Sequence, residues 1–308
     1  MVATSIKRRK GFTLSRREAM WAYLLISPWL LGFVWLTAGP MIASAVLSFT
    51  EYDVINPPRF VGLGNWIYMF TADPLFWHSL KVTLTYAIVA IPLGLVLGLA
   101  LALLLNTKIP AIAVWRTIYY MPSVVSGVAV AVLWSYIFNP RFGILNWLLS
   151  IVGIKGPGWL GSTQWALPAL IIMSLWSVGG GMIIYLAGLQ SIPTTLYEAA
   201  TIDGAGSWQR FWRITLPLIT PIIFYNLVIG IIGTFQYFVN AYVMTNGGPA
   251  NATLFYNLYL YRNTFRWSRL GFGSAMAWFL LFTVLIMTLL VFKSSAMWVY
   301  YEGELKRE

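Results

Sequence analysis

The 308 residues carry a formal net charge of +11, yet only 9% of them are charged, 59% are hydrophobic, and the mean hydropathy is +0.74. No soluble domain covers that much apolar surface, so the composition predicts a membrane protein. The absence of cysteine excludes disulfide frameworks, iron–sulfur sites and thiol nucleophiles, and a lone histidine, His78, excludes multi-histidine metal sites.

Crossing a hydrocarbon core of roughly 30 Å takes about 20 apolar residues of helix, and helices are the expected backbone because lipid cannot satisfy peptide groups. In chain order, six spans are predicted: Trp21 to Phe49, Ser79 to Leu105, Ile118 to Phe138, Gln164 to Gln190, Pro217 to Met244 and Phe272 to Phe292. Turn signals separate them at Asn56-Pro57-Pro58, Asn106-Thr107-Lys108, Asn139-Pro140-Arg141, the stretch after Gln190, and Asn246-Gly247-Gly248-Pro249. The basic N-terminal stretch with Ala43-Ser44-Ala45 beyond the first apolar run also fits a cleaved signal. That run, however, is much longer than a signal core of ~7 to 15 residues.

Orientation follows from Lys and Arg, which favour the cytoplasmic side. With both termini inside, the inner set is Lys7, Arg8, Arg9, Lys10, Arg16, Arg17, Lys108, Arg116, Arg210, Arg213, Lys293, Lys306 and Arg307. The outer set is Arg59, Lys81, Arg141, Lys155, Arg262, Arg266 and Arg269, so the bias is thirteen to seven. The basic balance therefore reflects membrane topology, and no nucleic-acid partner is expected. On the second span Ala90, Gly94, Gly98 and Ala102 recur every four residues, which permits close helix packing.

The loop between the fourth and fifth spans reads as two short helices with a hinge. Pro193 suits a first helical turn, Asp203-Gly204 reads as its stop, and Ser207 caps a second helix that Pro217 ends. Trp208, Phe211, Trp212 and Thr215 fall at helical spacing on one side of it. Local pattern alone allows a plainer account, in which Thr195 and Glu198 form a capping box and the aromatic stripe is an interfacial helix without a partner.

The fifth span carries Thr234, Phe235, Gln236, Tyr237 and Asn240, with Gln236 and Asn240 expected on one helix face. Amides beside flat aromatic rings suit a neutral sugar; the same groups can instead join helices. No Asp or Glu lies mid-membrane, which argues against an ion-coupled carrier, since such carriers keep buried charges for use. No glycine-rich loop precedes a lysine in the manner of a nucleotide-binding loop, so no ATP site, catalytic residue or metal site is expected on this chain.

Glu198, Ala199, Ala200, Gly204, Ile214, Leu216 and Pro217, at their fixed spacing between two spans, resemble the cytoplasmic coupling loop of permease subunits in bacterial ATP-binding cassette importers. Further matches run along almost the whole chain: Phe60-Val61-Gly62-Leu63, Arg116-Thr117, Met121-Pro122, Leu133-Trp134, Phe138-Asn139-Pro140, Phe142-Gly143 with Asn146, and Thr245 with Gly247-Gly248-Pro249 and Thr253. They are similar to carbohydrate-uptake permeases, nearest the first permease of maltose-type and glycerol-phosphate-type systems. Gly64 departs from that pattern, in which many relatives carry an acidic residue.

The resemblance implies an all-α membrane protein of type I importer architecture in the bacterial cytoplasmic (inner) membrane. It divides into an N-terminal tail, first span and outer loop (1–78), a five-helix core (79–293) containing the coupling loop 190–217, and a C-terminal tail (294–308). Glu198, Ala199, Ala200, Asp203, Gly204, Ile214, Leu216 and Pro217 would contact an ATPase, while Phe235, Gln236, Tyr237 and Asn240 would line the substrate path. The implied partners are a second permease, two ATPase subunits that carry ATP and magnesium, and an extracytoplasmic solute-binding protein. The expected cargo is a sugar or oligosaccharide, with glycerol-phosphate or another polar solute as the alternative.

Overall fold

A computed structural model describes residues 14–107 and 109–300. The cations Lys7, Arg8, Arg9, Lys10, Lys108, Lys306 and Arg307 lie outside the described residues. Helix dominates, as expected for a chain whose peptide groups must be satisfied within lipid. One small antiparallel hairpin, β1 (Thr50–Glu51) with β2 (Arg59–Phe60), follows the first span, and an Arg59–Glu51 ion pair of 2.7 Å closes it.

The first span is α1 (Leu14–Phe33), a π-helical turn at Val34–Ala38, and α2 (Gly39–Leu47). The widened turn, closed by the Gly39 amide on the Val34 carbonyl, carries the helix into Pro40, which has no amide to donate. This span stands at the edge and meets the bundle through α2 and the last helix. A short helix, α3 (Gly64–Thr71), leads to the second span, α4 (Phe76–Leu105), whose start is held by the Asp73 carboxylate accepting the Leu75 and Phe76 amides at 2.9 and 3.2 Å. At 30 residues, α4 is about 45 Å long and forms the central post against which the later spans pack.

The third and fourth spans are both broken, where single helices were expected. Over 118–138 the chain forms α5 (Ile112–Val124) and α6 (Gly127–Ile137), which meet at 98°. Pro122 removes an amide donor just ahead of the break, and Val125 and Ser126 take extended conformations. A short helix, α7 (Ile144–Ile151), then leads to α8 (Ala166–Leu175) and α9 (Gly179–Ser191), bent by 41°. At Gly179 a Cβ would lie 2.0 Å from the Tyr119 carbonyl oxygen, so only glycine lets α9 seat its first turn on the backbone of α5.

The fifth span differs from expectation at both ends. Beyond α10 (Thr194–Ile202), α11 (Ser207–Arg210) passes through a π-helical turn at Phe211–Thr215 straight into α12 (Leu216–Phe235). Pro217 therefore does not end a helix; it lies inside the continuous helical run from Ser207 to Phe235, directly after the π-helical turn, as Pro40 follows the one at Val34–Ala38. At the far end the helix stops at Phe235 rather than Met244, and the chain runs irregularly through Gln236–Phe238 before a second π-helical turn at Ala241–Thr245. Gln236 and Asn240 consequently do not share one regular helix face. The sixth span is α14 (Leu270–Ser295), preceded by α13 (Tyr256–Tyr261) and a π-helical turn at Arg262–Arg266.

Two apolar cores result. One surrounds Phe76, Tyr86, Phe235 and Phe255 and takes in the segment from Leu254 to Tyr259 at the start of α13. That segment is pinned by the Tyr256 amide on Thr83 Oγ1 at 2.9 Å, the Tyr256 hydroxyl on the Met276 carbonyl at 2.8 Å, and the Tyr259 hydroxyl on Asp73 at 2.7 Å. The other core, of Ala102, Leu105, Met182, Tyr185, Leu189 and Ile219, lies beside the loop that joins α9 to α11.

Candidate functional site

The loop between the fourth and fifth spans is a rigid protrusion. Pro193, extended, precedes the first turn of α10, and no side-chain cap of the Thr195–Glu198 type forms there. The other end is closed by two bonds that overlap across the stop: the Gly204 amide donates to Thr201 O at 3.1 Å and the Ala205 amide to Ala200 O at 2.8 Å. This pattern requires a left-handed residue, and Gly204 supplies it with φ +78°.

Side chains lock the second arm onto the first. The Arg210 guanidinium donates to Thr201 Oγ1 at 3.1 Å and to Ser207 Oγ at 3.3 Å, while the Tyr197 hydroxyl meets Thr215 Oγ1 at 3.0 Å. Tyr197, Ile214 and Leu216 pack on the core beside the loop, and Thr215 is buried. Ala200 is half-buried, whereas Glu198, Ala199, Asp203 and Gly204 are exposed. The outward face of α10 thus presents a carboxylate one turn before Ile202, which is 87% exposed. Glu198, Ile202, Thr194, Tyr197, Thr201 and Arg210 line a concavity of about 480 Å³. An exposed isoleucine beside a carboxylate and a preformed hollow is a surface suited to burial against another protein.

The expected path residues gather at the irregular end of α12. Phe235 is buried, and Gln236 is exposed with its carbonyl accepting from Asn257 Nδ2 at 3.1 Å. The Tyr237 ring lies 4.8 Å from that of Tyr86 and 4.7 Å from that of Phe255. The Tyr237 hydroxyl and Asn240 Oδ1 are buried near one another without an aligned hydrogen bond to any described residue.

One further group, Thr234 apart, escaped sequence reasoning. Tyr86, Ser174, Tyr185, Asn226 and Thr234 open onto a cavity of about 260 Å³ between α4, the α8–α9 bend and α12, and the Tyr185 hydroxyl there has no partner among the described residues. These residues come from four helices, and a linear reading does not bring them together. Asn226, the one amide side chain in α12, was the available signal.

Residues 90–301 match the family model described as binding-protein-dependent transport system inner membrane component. The probable permease protein YesP of Bacillus subtilis (strain 168) is 45% identical over 293 residues, covering 94% of both chains. MalF, the trehalose/maltose transport system permease protein of Thermococcus litoralis, is 36% identical over 282 residues, covering 91% of this chain and 95% of its own. A chain of a bacterial transporter that imports the acidic polysaccharide alginate superposes with a TM-score of 0.80 at 28% identity, over 92% of this chain and 96% of that one. A structure of an alginate transporter in complex with a pentasaccharide-bound periplasmic protein matches at a TM-score of 0.79 and 28% identity, over 92% and 95%.

Proposed function

The chain belongs to the family of inner membrane components of binding-protein-dependent transport systems, and from that premise we propose that it forms one half of the path of an ATP-driven sugar importer. It is a multi-pass permease subunit rather than an enzyme. The saccharide reading draws on MalF and the alginate transporter among its relatives. The observation that carries the energetic half of the proposal is the clamped loop around Gly204, whose exposed Glu198 and Ile202 offer a stiff handle at one end of the bundle.

In this reading a pair of separate ATPase subunits grips the handle, with ATP and magnesium bound there and none on this chain. Because α11 runs into α12 without a break, a push on the loop travels along about 30 Å of helix, the rise of the 20 residues from Leu216 to Phe235. It ends at Gln236–Phe238, where the helix opens and the polar groups of Tyr237 and Asn240 wait. Alternate gripping and release then biases the path between inward and outward access. A second permease completes the path and a solute-binding protein delivers the cargo from the far side.

Saccharide is favoured over glycerol-phosphate by the outer arginines themselves. Arg262 donates to Asn246, and the Arg269 guanidinium lies 5.1 Å from the Tyr68 ring and 4.8 Å from that of Phe272. Two of the three cations are thus engaged in holding the loop. The test is purification of the complex through this chain, followed by ATP hydrolysis with candidate saccharides and the solute-binding protein. Saccharide should stimulate hydrolysis, Glu198→Lys should abolish the stimulation, and uptake that persists without any ATPase subunit would overturn the proposal.

A further inference from the structure

The outer stretch from Asn139 to Trp159 is folded more tightly than a connection between two spans requires. The Asn139 carboxamide oxygen accepts the Arg141 and Phe142 amides at 2.9 and 3.3 Å. Gly143 is buried against its own chain, where a Cβ would lie 2.3 Å from the Asn139 carbonyl oxygen. Asn146 on α7 then works as a staple: its Nδ2 donates to Pro140 O at 3.1 Å and to Pro157 O at 3.2 Å, while its Oδ1 accepts from Trp159 Nε1 at 2.6 Å. Trp159 is buried, with its ring 5.2 Å from Phe138. One amide therefore fixes two strands of loop to each other and both to the bundle.

Those two strands carry Arg141 and Lys155. Both cations are exposed, neither has a carboxylate partner among the described residues, and both line a concavity of about 630 Å³ whose other walls include Phe142, Ile144, Trp147 and Ile154. Each of these four apolar residues is more than half exposed. The fourth span separates this hollow from the loop around Gly204, so the two sit at opposite ends of the bundle. Two cations carried on stapled backbone beside an apolar surface match an amphiphile with an anionic head and acyl chains.

We propose that the hollow between Arg141 and Lys155 is a binding site for the phosphate headgroup of an anionic phospholipid in the outer leaflet, with its chains lying along Phe142, Trp147 and Ile154. The Asn146 staple preorganises the site, so binding costs little ordering of the loop. The proposal rests on membrane insertion and is independent of the cargo, so its failure leaves the importer reading standing.

The test is native mass spectrometry of the complex purified through this chain and released from nanodiscs of phosphatidylcholine with or without phosphatidylglycerol. The wild-type complex should retain phosphatidylglycerol in preference to phosphatidylcholine, and Arg141→Gln with Lys155→Gln should lower the retained phosphatidylglycerol by one molecule per copy of this chain. Lys81→Gln with Arg266→Gln, which removes the same outer charge elsewhere, should leave retention unchanged. Equal loss in that control, no preference in the wild-type complex, or displacement of the lipid by inorganic phosphate alone would each overturn the proposal. Gel filtration establishes that both double variants remain assembled, and the wild-type preference stands as a separate test if one does not.

Discussion

The Tyr197 hydroxyl lies 3.0 Å from Thr215 Oγ1, joining the exposed helix α10 to the π-helical turn that opens the fifth span. Thr215 is buried, so this contact ties the exposed α10 to the packed part of the bundle. A hydrogen bond of this type contributes about 1 kcal/mol net. Tyr197→Phe keeps the ring and removes the hydroxyl. It should leave the complex assembled and lower saccharide-stimulated ATP hydrolysis by about 5-fold, the ratio that corresponds to about 1 kcal/mol. Unchanged stimulation would mean that the loop is held without this hydrogen bond, by its packing and by the Arg210 and backbone bonds.

Gly204 permits a sharper separation of causes. A Cβ there meets nothing within 4 Å in this chain, so within the subunit a substitution acts through its backbone. With φ at +78°, a side chain costs roughly 1–2 kcal/mol, and asparagine tolerates that region better than alanine or a β-branched residue. ATP-driven uptake should therefore fall in the order glycine, asparagine, alanine, valine. A flat series would show that the left-handed turn is dispensable for transport.

Asn240 divides the two accounts of the polar groups in the fifth span. Its Oδ1 is buried without an aligned donor, so removing it relieves an unsatisfied acceptor that costs about 1–3 kcal/mol and offsets the packing lost with the side chain. Asn240→Ala should leave the melting temperature of the complex nearly unchanged while altering which saccharides stimulate hydrolysis. A destabilised complex with unaltered selectivity would assign Asn240 to helix packing.

Much of this architecture was legible in the sequence, but not all of it. Long apolar runs such as Phe76–Leu105 and Leu270–Ser295 announce themselves because lipid demands uninterrupted helix. The Asp203-Gly204 stop was readable because a left-handed residue has few chemistries. The break at Val125–Ser126 was missed although Pro122 stands just ahead of it, and the break after Phe235, which no proline beside it announces, was not legible. The same applies to Leu254–Tyr259, which lies between spans yet holds some of the most buried side chains in the protein. Its burial depends on Thr83 and Asp73, more than 170 positions earlier, and no local pattern encodes that pairing.

The glycines of the core offer a graded test of the backbone contacts between spans. At Gly94 a Cβ meets nothing within 4 Å, and at Gly98 it approaches the edge of the Tyr185 ring at 3.3 Å, a contact the ring relieves by a small shift. At Gly179 it would lie 2.0 Å from the Tyr119 carbonyl oxygen and 2.8 Å from its carbon, and backbone cannot swing aside. Gly94→Ala should therefore be tolerated and Gly98→Ala nearly so, although both belong to the same small-residue stripe. Gly179→Ala forces α9 away from α5 at a cost of about 3 kcal/mol, the upper part of the range for overpacking. Thermal unfolding of the three purified complexes should show a large drop in melting temperature for Gly179→Ala alone. Since α9 leads directly into α10, the same variant should also misplace the loop around Gly204 and lower stimulated hydrolysis in whatever complex survives. Equal melting temperatures across the three would mean that α5 and α9 are not in backbone contact in the assembled importer.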